Sequence, residues 1–336
     1  MPETATLAEV EPVPAVPRRR RLVGTVVWLA VAPFAVWAVV RLFGLERGYP
    51  AVQLIAFTPY VAAVAWIPAL AAGLTRRWRA VAVAGVAVLV LGSSVLPRSF
   101  ADPDEGTGTP LRVMAANLLA GKADAEFLVD LVRTERVDVL ALQEYTPDAE
   151  DGLAAAGLGQ LLPYRISFPL TGVVGSAVYS RFPVRDGGLR LNPGGFGQAR
   201  ATVVVPGAAS VTVESIHPSA PWNAETTSLW KQGLLRQQPA TVDGPIRVLA
   251  GDFNSTLDHA ALRGLLDTGY RDAASVAGAG LTPTWPYEPG DRWIPGVTLD
   301  HVFADRRIGV RAFHATTVPG SDHRAILADL LLPPLP

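Results

Sequence analysis

Three long apolar stretches without a single charged residue lie near the start of this 336-residue chain. They cover residues 22–40, 48–75 and 80–97, and arginine clusters at 18–21 and 76–79 flank them. At the rise of an α-helix, each stretch is about long enough to cross the hydrocarbon core of a bilayer. Because basic loops favour the cytoplasmic side, the pattern predicts three transmembrane helices that leave the rest of the chain outside the cytoplasm.

Two other interpretations of these stretches stay open. The first stretch could be a secretory signal peptide, although the two stretches that follow it disfavour cleavage. All three could instead be buried helices of a soluble core. On the transmembrane interpretation the chain divides into a cytoplasmic tail, a three-helix transmembrane region, a polar linker and a folded body, at 1–21, 22–97, 98–110 and 111–336.

The composition supports a molecule of two parts. Apolar residues make up 49% of the chain, which is high for a soluble protein and low for one embedded entirely in a membrane. Residues 1–100 hold 10 Lys and Arg against 4 Asp and Glu, whereas residues 101–336 hold 19 against 26. The acidic body does not favour binding to the phosphates of duplex DNA. The absence of cysteine excludes disulfides, thiolate metal sites and a cysteine nucleophile.

Short apolar runs alternate with helical stretches throughout the body, which is large enough for one substantial core. The helical stretches are expected at 123–135, 226–238 and 258–268, with Asp258 as a candidate cap of the last. The strand-like runs cover 111–116, 137–142, 176–179, 201–205, 210–216, 247–250, 301–303 and 325–332.

Several of these runs end in polar residues, and Gly251-Asp252-Phe253-Asn254 is the clearest example. We expect Gly251 to let the chain turn at the end of a buried strand. Residues two apart on an extended chain face the same way, so Asp252 and Asn254 can act on one reacting centre while Phe253 enters the core. A turn that Asp and Asn merely cap is the alternative.

Asn117, Glu144 and His217 also follow apolar runs. A charge at the rim of a buried strand usually has a partner or a function. Each of the three has a structural alternative: Asn117 suits a turn, Glu144 a salt bridge or cap, and His217 the start of a loop.

The strongest local signal is the pair Asp322-His323, which comes just before the last strand-like run. The carboxylate can bind a hard cation while the imidazole, which titrates near neutral pH, moves a proton. Asp300 could accept the other ring N–H of His323 and fix its tautomer. Carboxylate and amide oxygens indicate Mg²⁺, or else Mn²⁺ or Ca²⁺, rather than zinc, and this donor set favours hydrolysis of a phosphate ester.

In this order, the motifs resemble those of the endonuclease/exonuclease/phosphatase superfamily, which has the pancreatic-deoxyribonuclease-like fold. The resemblance covers essentially all of residues 111–334. It implies an α+β fold, a four-layer α/β/β/α sandwich of two mixed β-sheets, here preceded by the three transmembrane helices. The motifs are Asn117, Gln143-Glu144, residues 175–181, His217, residues 251–254, residues 299–301 and residues 321–323.

The resemblance also implies roles for individual residues. Glu144 would hold the metal ion with Asn117 and Asp322 nearby. Among the catalytic residues, His323 would activate water and Asp300 would orient the imidazole. Asp252 and Asn254 would position the nucleophile and the phosphoryl group. His217 would stabilise charge on the phosphoryl oxygens or assist the leaving group.

The amino-terminal spans and Thr284-Trp285-Pro286 are similar to a bacterial membrane-attached branch of this superfamily. We therefore expect a multi-pass protein of the cell membrane with an extracytoplasmic, metal-dependent phosphoesterase body. Its partners would be the lipid bilayer and a phosphodiester or phosphomonoester in a lipid, nucleotide or sugar phosphate. The alternatives are an extracellular nuclease that acts on DNA or RNA and a non-catalytic binding module tethered to the membrane.

Overall fold

The structure is a computed structural model that describes residues 18–287 and 293–335. The predicted cytoplasmic tail therefore lies outside the described residues except for its four arginines. Those arginines already belong to the first helix, α1 (Arg18–Phe43).

Four more helices complete the amino-terminal region: α2 (Ala51–Ile55), α3 (Thr58–Val64), α4 (Trp66–Leu74) and α5 (Trp78–Val95). Among the described residues, two helices are long and apolar enough to cross a membrane, Arg18–Phe43 and Trp78–Ser99, where the second includes a short 3-10 turn. The expectation of three such helices is not met, because the stretch 48–75 forms three shorter helices.

Prolines explain why that middle stretch is divided. Pro59 and Pro68 have no N–H to donate to the carbonyl groups four residues earlier, so a continuous helix would leave those groups unpaired. At the first division, the Thr58 hydroxyl donates to the Ile55 carbonyl oxygen at 2.6 Å. The hydroxyl therefore takes over the bond that the proline cannot make.

The two long helices run parallel. At one end, the Arg77 guanidinium donates to the carbonyl oxygen of Arg20. At the other end, Arg41 and Arg98 both bind the carboxylate of Asp258 in the body. The residues between the long helices must therefore lead the chain back to the end where it started. Only 22% and 28% of the apolar windows of the two helices are buried, whereas a core helix of a soluble protein is mostly buried.

The body contains two mixed six-stranded sheets. The first has the order β11-β12-β1-β2-β4-β3 and the second β5-β6-β7-β8-β10-β9. The strands are β1 (Thr109–Asn117), β2 (Val139–Gln143), β3 (Tyr164–Phe168), β4 (Ser176–Ser180), β5 (Val184–Leu191), β6 (Gly197–Val203), β7 (Val211–Ile216), β8 (Ile246–Asp252), β9 (Tyr270–Asp272), β10 (Asp300–Asp305), β11 (Gly309–Thr317) and β12 (Arg324–Leu332).

The strands alternate their side chains between two apolar layers, as β1 illustrates. Val113 and Ala115 join a core that the two sheets share with β8 residues such as Val248. Met114 and Ala116 face the opposite way, into a second core beneath the helices of that side. This alternation explains why the central strands are continuous apolar runs, since both of their faces are buried.

Helices cover the outer faces of both sheets, which confirms the predicted combination of two mixed sheets and flanking helices. On the first sheet lie α6 (Ala125–Thr134), α7 (Pro147–Ala155) and α8 (Leu158–Leu161). On the second lie α9 (Ala224–Leu235) and α10 (Ala260–Leu266), and α11 (Ala273–Val276) follows β9.

Asp258 does not cap α10, contrary to expectation, because the N-cap residue is His259. The Asp258 carboxylate is buried and lies 2.7 Å from Arg41 Nε and 2.6 Å from Arg98 Nη2. Although burial opposes ionisation, the two guanidinium groups lower the pKa of this carboxyl. A buried ion-pair cluster therefore joins the apolar helices to the body.

The predicted linker 98–110 is also fixed to the body. Arg98 is buried in the cluster around Asp258. Asp104 pairs with Arg271 at 2.6 Å and accepts from the Val310 N–H at 2.8 Å. The stretch that sequence composition marks as a tether therefore holds the two parts of the molecule together.

Candidate active site

The topology brings the predicted polar residues to one edge of the sandwich. In the first sheet, the parallel strands β1 and β2 end at this edge and β12 begins there. In the second sheet, β7 and β8 end there and β10 begins there. The residues carried to this edge are Asn117, Glu144, His217, Asp252, Asn254, Asp300, Asp322 and His323.

His323 and Asp300 form a hydrogen-bonded pair across the two sheets. His323 Nδ1 lies 2.8 Å from Asp300 Oδ2, while Nε2 lies 3.7 Å from Asp252 Oδ2. Nε2 makes no hydrogen bond with any described residue and belongs to a side chain that lines a cleft. Although burial opposes a charged imidazole, the surrounding carboxylates, led by Asp300 and Asp252, raise the pKa of His323 to about 10. The imidazole therefore has a strong affinity for a proton on the nitrogen that faces the cleft.

Asp252 lies at the centre of the site. Its Oδ1 accepts from the backbone N–H of Asn254 at 2.7 Å, and its Oδ2 accepts from Asn117 Nδ2 at 3.1 Å. Burial raises the pKa of Asp252 to about 6, so this carboxyl can exchange a proton near neutral pH. Asn254, in turn, anchors its own side-chain amide on the Pro218 carbonyl at 3.0 Å.

The turn that presents these groups is not at Gly251, where we expected it. Strand β8 continues through Gly251 to Asp252, and the chain turns at Asn254, which has a positive φ of 47°. Gly251 is required for two reasons: its φ of 146° is a backbone conformation that favours glycine, and a Cβ there would collide with the carbonyl oxygen of Ile216 and with the Gln143 side chain. A small residue thus lets the two sheets approach each other beside the site.

Glu144 also occupies a strained backbone position, with φ at 55°. Its Oε2 accepts from the Ala120 N–H at 2.6 Å and its Oε1 from Asn117 Nδ2 at 3.2 Å. Burial raises the pKa of Glu144. The amide nitrogen of Asn117 therefore bridges two carboxylates, while its oxygen accepts from the Leu119 N–H at 3.0 Å.

Asp322 and His217 complete the group of polar side chains at this edge. Trp285 Nε1 donates to Asp322 Oδ2 at 3.0 Å, and Asp322 Oδ1 has no hydrogen-bond partner among the described residues. His217 Nε2 lies 3.7 Å from Asp252 Oδ2 and 3.8 Å from Glu144 Oε1. Burial lowers the pKa of His217, so its imidazole is neutral at neutral pH and can donate one N–H.

The donor set fits a hard divalent cation. Four carboxylates converge, and in the described part of the chain their only ion-pair partners are His217 and His323. Added positive charge would offset the cost of burying these acids. Atoms of Asp252, Asp300 and His323 lie within 4.8 Å of one another, which is compact enough for a metal ion. This group differs from the predicted ligands, Asn117, Glu144 and Asp322.

Sequence reasoning gave Trp285 no role in the site. Its indole N–H orients Asp322, so Trp285 helps to fix a candidate metal ligand. The only signal in the sequence is its place in Thr284-Trp285-Pro286, shortly before the strand that begins at Asp300. Thr284 also acts locally, because its hydroxyl accepts from the backbone N–H of Asp300 at 3.1 Å.

Comparisons with solved structures show the same fold in other proteins. An endonuclease/exonuclease/phosphatase from Beutenbergia cavernae is 25% identical, covers 67% of this chain and 72% of its own, and has a TM-score of 0.52. A humanized TDP2 from D. rerio (15% identity, 66% and 98% coverage, TM-score 0.51) and an AP endonuclease from Archaeoglobus fulgidus (16%, 65% and 98%, 0.53) share the fold at lower identity.

A search of curated proteins found no match. A family profile described as the endonuclease/exonuclease/phosphatase family matches residues 114–323. This range runs from β1, which ends at Asn117, to His323 and so contains the whole candidate site. That match covers more than half of the chain. The chain is therefore a member of the endonuclease/exonuclease/phosphatase family and a hydrolase of phosphate ester bonds.

Proposed function

We propose that this protein is a membrane-anchored, metal-dependent phosphoesterase whose body lies outside the cytoplasm. The observation that carries the proposal is the pair His323–Asp300, whose free ring nitrogen faces Asp252 in a cleft that Glu144 and Asp322 also line. An imidazole held by a carboxylate on one nitrogen and open on the other is suited to take a proton from water.

In the proposed reaction, the pKa of His323 falls from about 10 beside the positive charge of a cation, so that Nε2 loses its proton and can accept one from the attacking water; Asp300 stabilises the resulting imidazolium. Asp252 and Asn254 position the water and the phosphoryl group. Neutral His217 donates its N–H to a phosphoryl oxygen as negative charge develops there. Asp252, with a pKa of about 6, can deliver a proton to the leaving oxygen.

Glu144 and Asp322 would hold the cation, which we propose to be Mg²⁺, with Mn²⁺ and Ca²⁺ as alternatives. When bound, a divalent cation supplies positive charge that polarises the phosphoryl group and offsets the carboxylates that raise the pKa of His323. The free Oδ1 of Asp322 supports this assignment. Asn117 would have to rotate its amide to offer an oxygen, since its nitrogen now faces Glu144 and Asp252.

The membrane part of the proposal rests on the two long, outward-facing apolar helices. Because these helices are parallel, residues 58–74 lead the chain back between them and both arginine clusters lie at the same end. That arrangement suits three crossings with the arginines in the cytoplasm. The proposed division of the chain is accordingly the tail 1–21, the membrane region 22–97, the connecting segment 98–110 and the catalytic body 111–336.

A nuclease is the alternative enzyme, since an AP endonuclease shares the fold. The acidic body argues against it, because binding to a polynucleotide usually depends on Lys and Arg. A non-catalytic binding module is the less favoured alternative, because base, orienting acid and candidate metal ligands are all present.

The function is tested by assaying the purified full-length chain with bis-p-nitrophenyl phosphate. We expect hydrolysis with Mg²⁺, its loss with EDTA and its recovery when Mg²⁺ is restored. Turnover that persists at the same rate in EDTA would refute the metal-dependent mechanism.

The topology is tested separately by fusing a reporter enzyme after the last residue. A reporter that is active only outside the cytoplasm should be active in this fusion. Activity of a cytoplasm-specific reporter at the same position would overturn the proposed topology without affecting the assignment of the site.

A further inference from the structure

The catalytic groups open into a cleft of about 810 Å³, which is a typical size for the binding site of a small organic molecule. Glu144, His217, Asp252 and His323 contribute polar atoms to its lining. Asn254 and Asp322 also line it, and most of the remaining lining is apolar, with larger side chains that include those of Phe57, Phe196, Trp222, Leu229, Trp285 and Trp293. The cleft therefore joins a phosphate-ester site to an extensive hydrophobic surface.

One wall of the cleft comes from the amino-terminal helices. Gln53, Ala56 and Phe57 lie in α2 and in the turn that leads to α3, and all three line the cleft. This segment is fixed to the body, because Gln53 Nε2 donates to the carbonyl oxygen of Pro221 and His259 Nε2 lies 2.8 Å from the carbonyl oxygen of Val52. The hydrophobic part of the cleft is therefore complete only when the apolar helices are docked.

The charge of the cleft restricts what can occupy it. None of the described residues that line it is Lys or Arg. A polynucleotide would bring further phosphates into a surface with no cation to neutralise them. A molecule with one phosphate ester and an apolar remainder matches the cleft, because its phosphate can lie at the catalytic groups and its apolar part against the apolar lining.

The position of the cleft is next to the surface that we assign to the membrane. Phe57 lies in the turn between α2 and α3, and Phe43 at the end of α1 exposes 68% of its surface. On the body side of the cleft, Trp222 and Trp293 are 68% and 79% exposed. Exposed tryptophans are typical of the interface between a bilayer and water. Because Gln53, Ala56 and Phe57 lie in the segment that joins the first two proposed spans, the mouth of the cleft adjoins the ends of those spans.

We propose that the substrate is a membrane lipid phosphate ester, whose phosphate lies at the catalytic groups and whose apolar chain lies against Phe57 and Leu229. This proposal rests on the proposed function and narrows its substrate class. The helices then serve two purposes, since they anchor the enzyme and also form the part of the cleft that binds the chain.

The test uses the full-length protein and a series of phosphodiesters that share one p-nitrophenyl leaving group. The second ester group is methyl, butyl, octyl or the 5′-carbon of thymidine. Because burial of one methylene is worth up to about a fourfold gain in binding, we expect kcat/KM to rise at least about tenfold from methyl to octyl. The thymidine ester should fall below the octyl ester.

A matched pair of substitutions on α9 locates the effect. Leu229→Asn places a polar group in the cleft, whereas Leu235→Asn changes a side chain that is 67% exposed and does not line it. Leu229→Asn should lower the octyl-to-methyl ratio of kcat/KM at least about threefold, and Leu235→Asn should leave that ratio unchanged. The ratio does not depend on the fraction of folded enzyme.

Phe57→Asn applies the same test to the wall formed by the helices, and it too should lower the ratio. A series with equal kcat/KM for methyl and octyl, or an unchanged ratio in both Leu229→Asn and Phe57→Asn, would overturn the lipid proposal while leaving the phosphoesterase intact. Preference for the thymidine ester would favour a nucleotide substrate instead. If no ester in the series is hydrolysed with Mg²⁺, the proposed function itself fails.

Discussion

Two hydrogen-bonded histidine–aspartate pairs lie side by side in the part of the chain that the structure describes. They differ in what the other ring nitrogen of each histidine contacts. In His323–Asp300, the second nitrogen, Nε2, faces the cleft without a hydrogen bond to a described residue. In His301–Asp272, Nδ1 lies 3.2 Å from the carboxylate and Nε2 lies 2.9 Å from the carbonyl oxygen of Ser255. Both ring nitrogens of His301 are therefore occupied, and neither is available to a substrate.

The contrast arises from one strand. Asp300 and His301 are consecutive on β10, and consecutive side chains on a strand point to opposite faces. Asp300 faces the site edge and meets His323, whereas His301 packs against the rings of Phe253 and Phe303 on the outer face. The same residue types thus form a candidate catalytic pair on one face and a structural pair on the other. What separates them is access to the cleft.

The largest loss of kcat should come from Asp252→Asn, because the Asp252 carboxylate lies beside the free Nε2 of the catalytic pair. We expect kcat to fall by up to about 10⁴-fold, the upper range for a group that transfers a proton. Initial rates with bis-p-nitrophenyl phosphate measure this loss. A rate within about threefold of the wild type would remove Asp252 from the mechanism.

Asp300→Asn should have the next largest effect. The amide can still fill the space but cannot stabilise an imidazolium, so kcat should fall by about a hundredfold. Asp300 is buried like Asp272, so the variant should also lose stability, and kcat is therefore taken per folded molecule from urea unfolding of the same variant. Unchanged kcat would contradict an orienting role for Asp300.

Asp272→Asn tests the structural pair. Removing one partner of a buried ion pair typically costs about 3–5 kcal/mol, because the other charge is left without compensation. Urea unfolding of the full-length chain should show this loss, while kcat per folded molecule stays close to that of the wild type. A large fall in kcat at full stability would assign this pair to catalysis.

The pH dependence of the structural pair should be a smaller effect. Although burial opposes the charged imidazole, Asp272 raises the pKa of His301 above its usual value near 6.5. Since a raised folded-state pKa stabilises the protein below the unfolded pKa, the contribution of His301 is full below about pH 6.5 and is lost as the pH rises through the raised value.

Asp272 has the opposite dependence. Burial opposes its ionisation, but His301 lowers the pKa of Asp272, so the contribution of this carboxylate is lost as the pH falls below about 4. The stability difference between the wild type and Asp272→Asn should therefore be greatest near pH 5 and shrink toward pH 9. A difference that grows from pH 5 to pH 9 would contradict the charged pair.

The sequence predicted the central strands of both sheets and the polar residues at their ends. All four strands that it missed, β3, β5, β9 and β11, are edge strands of the two sheets. Edge strands are partly open to solvent and carry polar residues that interrupt an apolar run. In β5, for example, Arg185, Asp186 and two glycines leave little to mark a strand.

The candidate site was easier to predict than the contacts that support it. Asp300 and His323 stand in recognisable motifs, so their pairing could be expected. Asp258 stands beside a helix and suggested a cap, but its partners, Arg41 and Arg98, come from distant parts of the chain. Neither the docking of the helices nor the wall that Phe57 gives to the cleft could be inferred from local patterns, because both depend on tertiary contacts.

The central claim is that His323 is the catalytic imidazole and His301 the structural one. The most direct measurement compares His323→Gln and His301→Gln, with kcat and urea unfolding determined for each. We predict that His323→Gln loses about 10²-fold to 10⁴-fold in kcat per folded molecule, whereas His301→Gln keeps its kcat per folded molecule, although both variants lose stability because each removes one partner of a buried pair. Equal losses of kcat in both variants, or a loss confined to His301→Gln, would contradict the account.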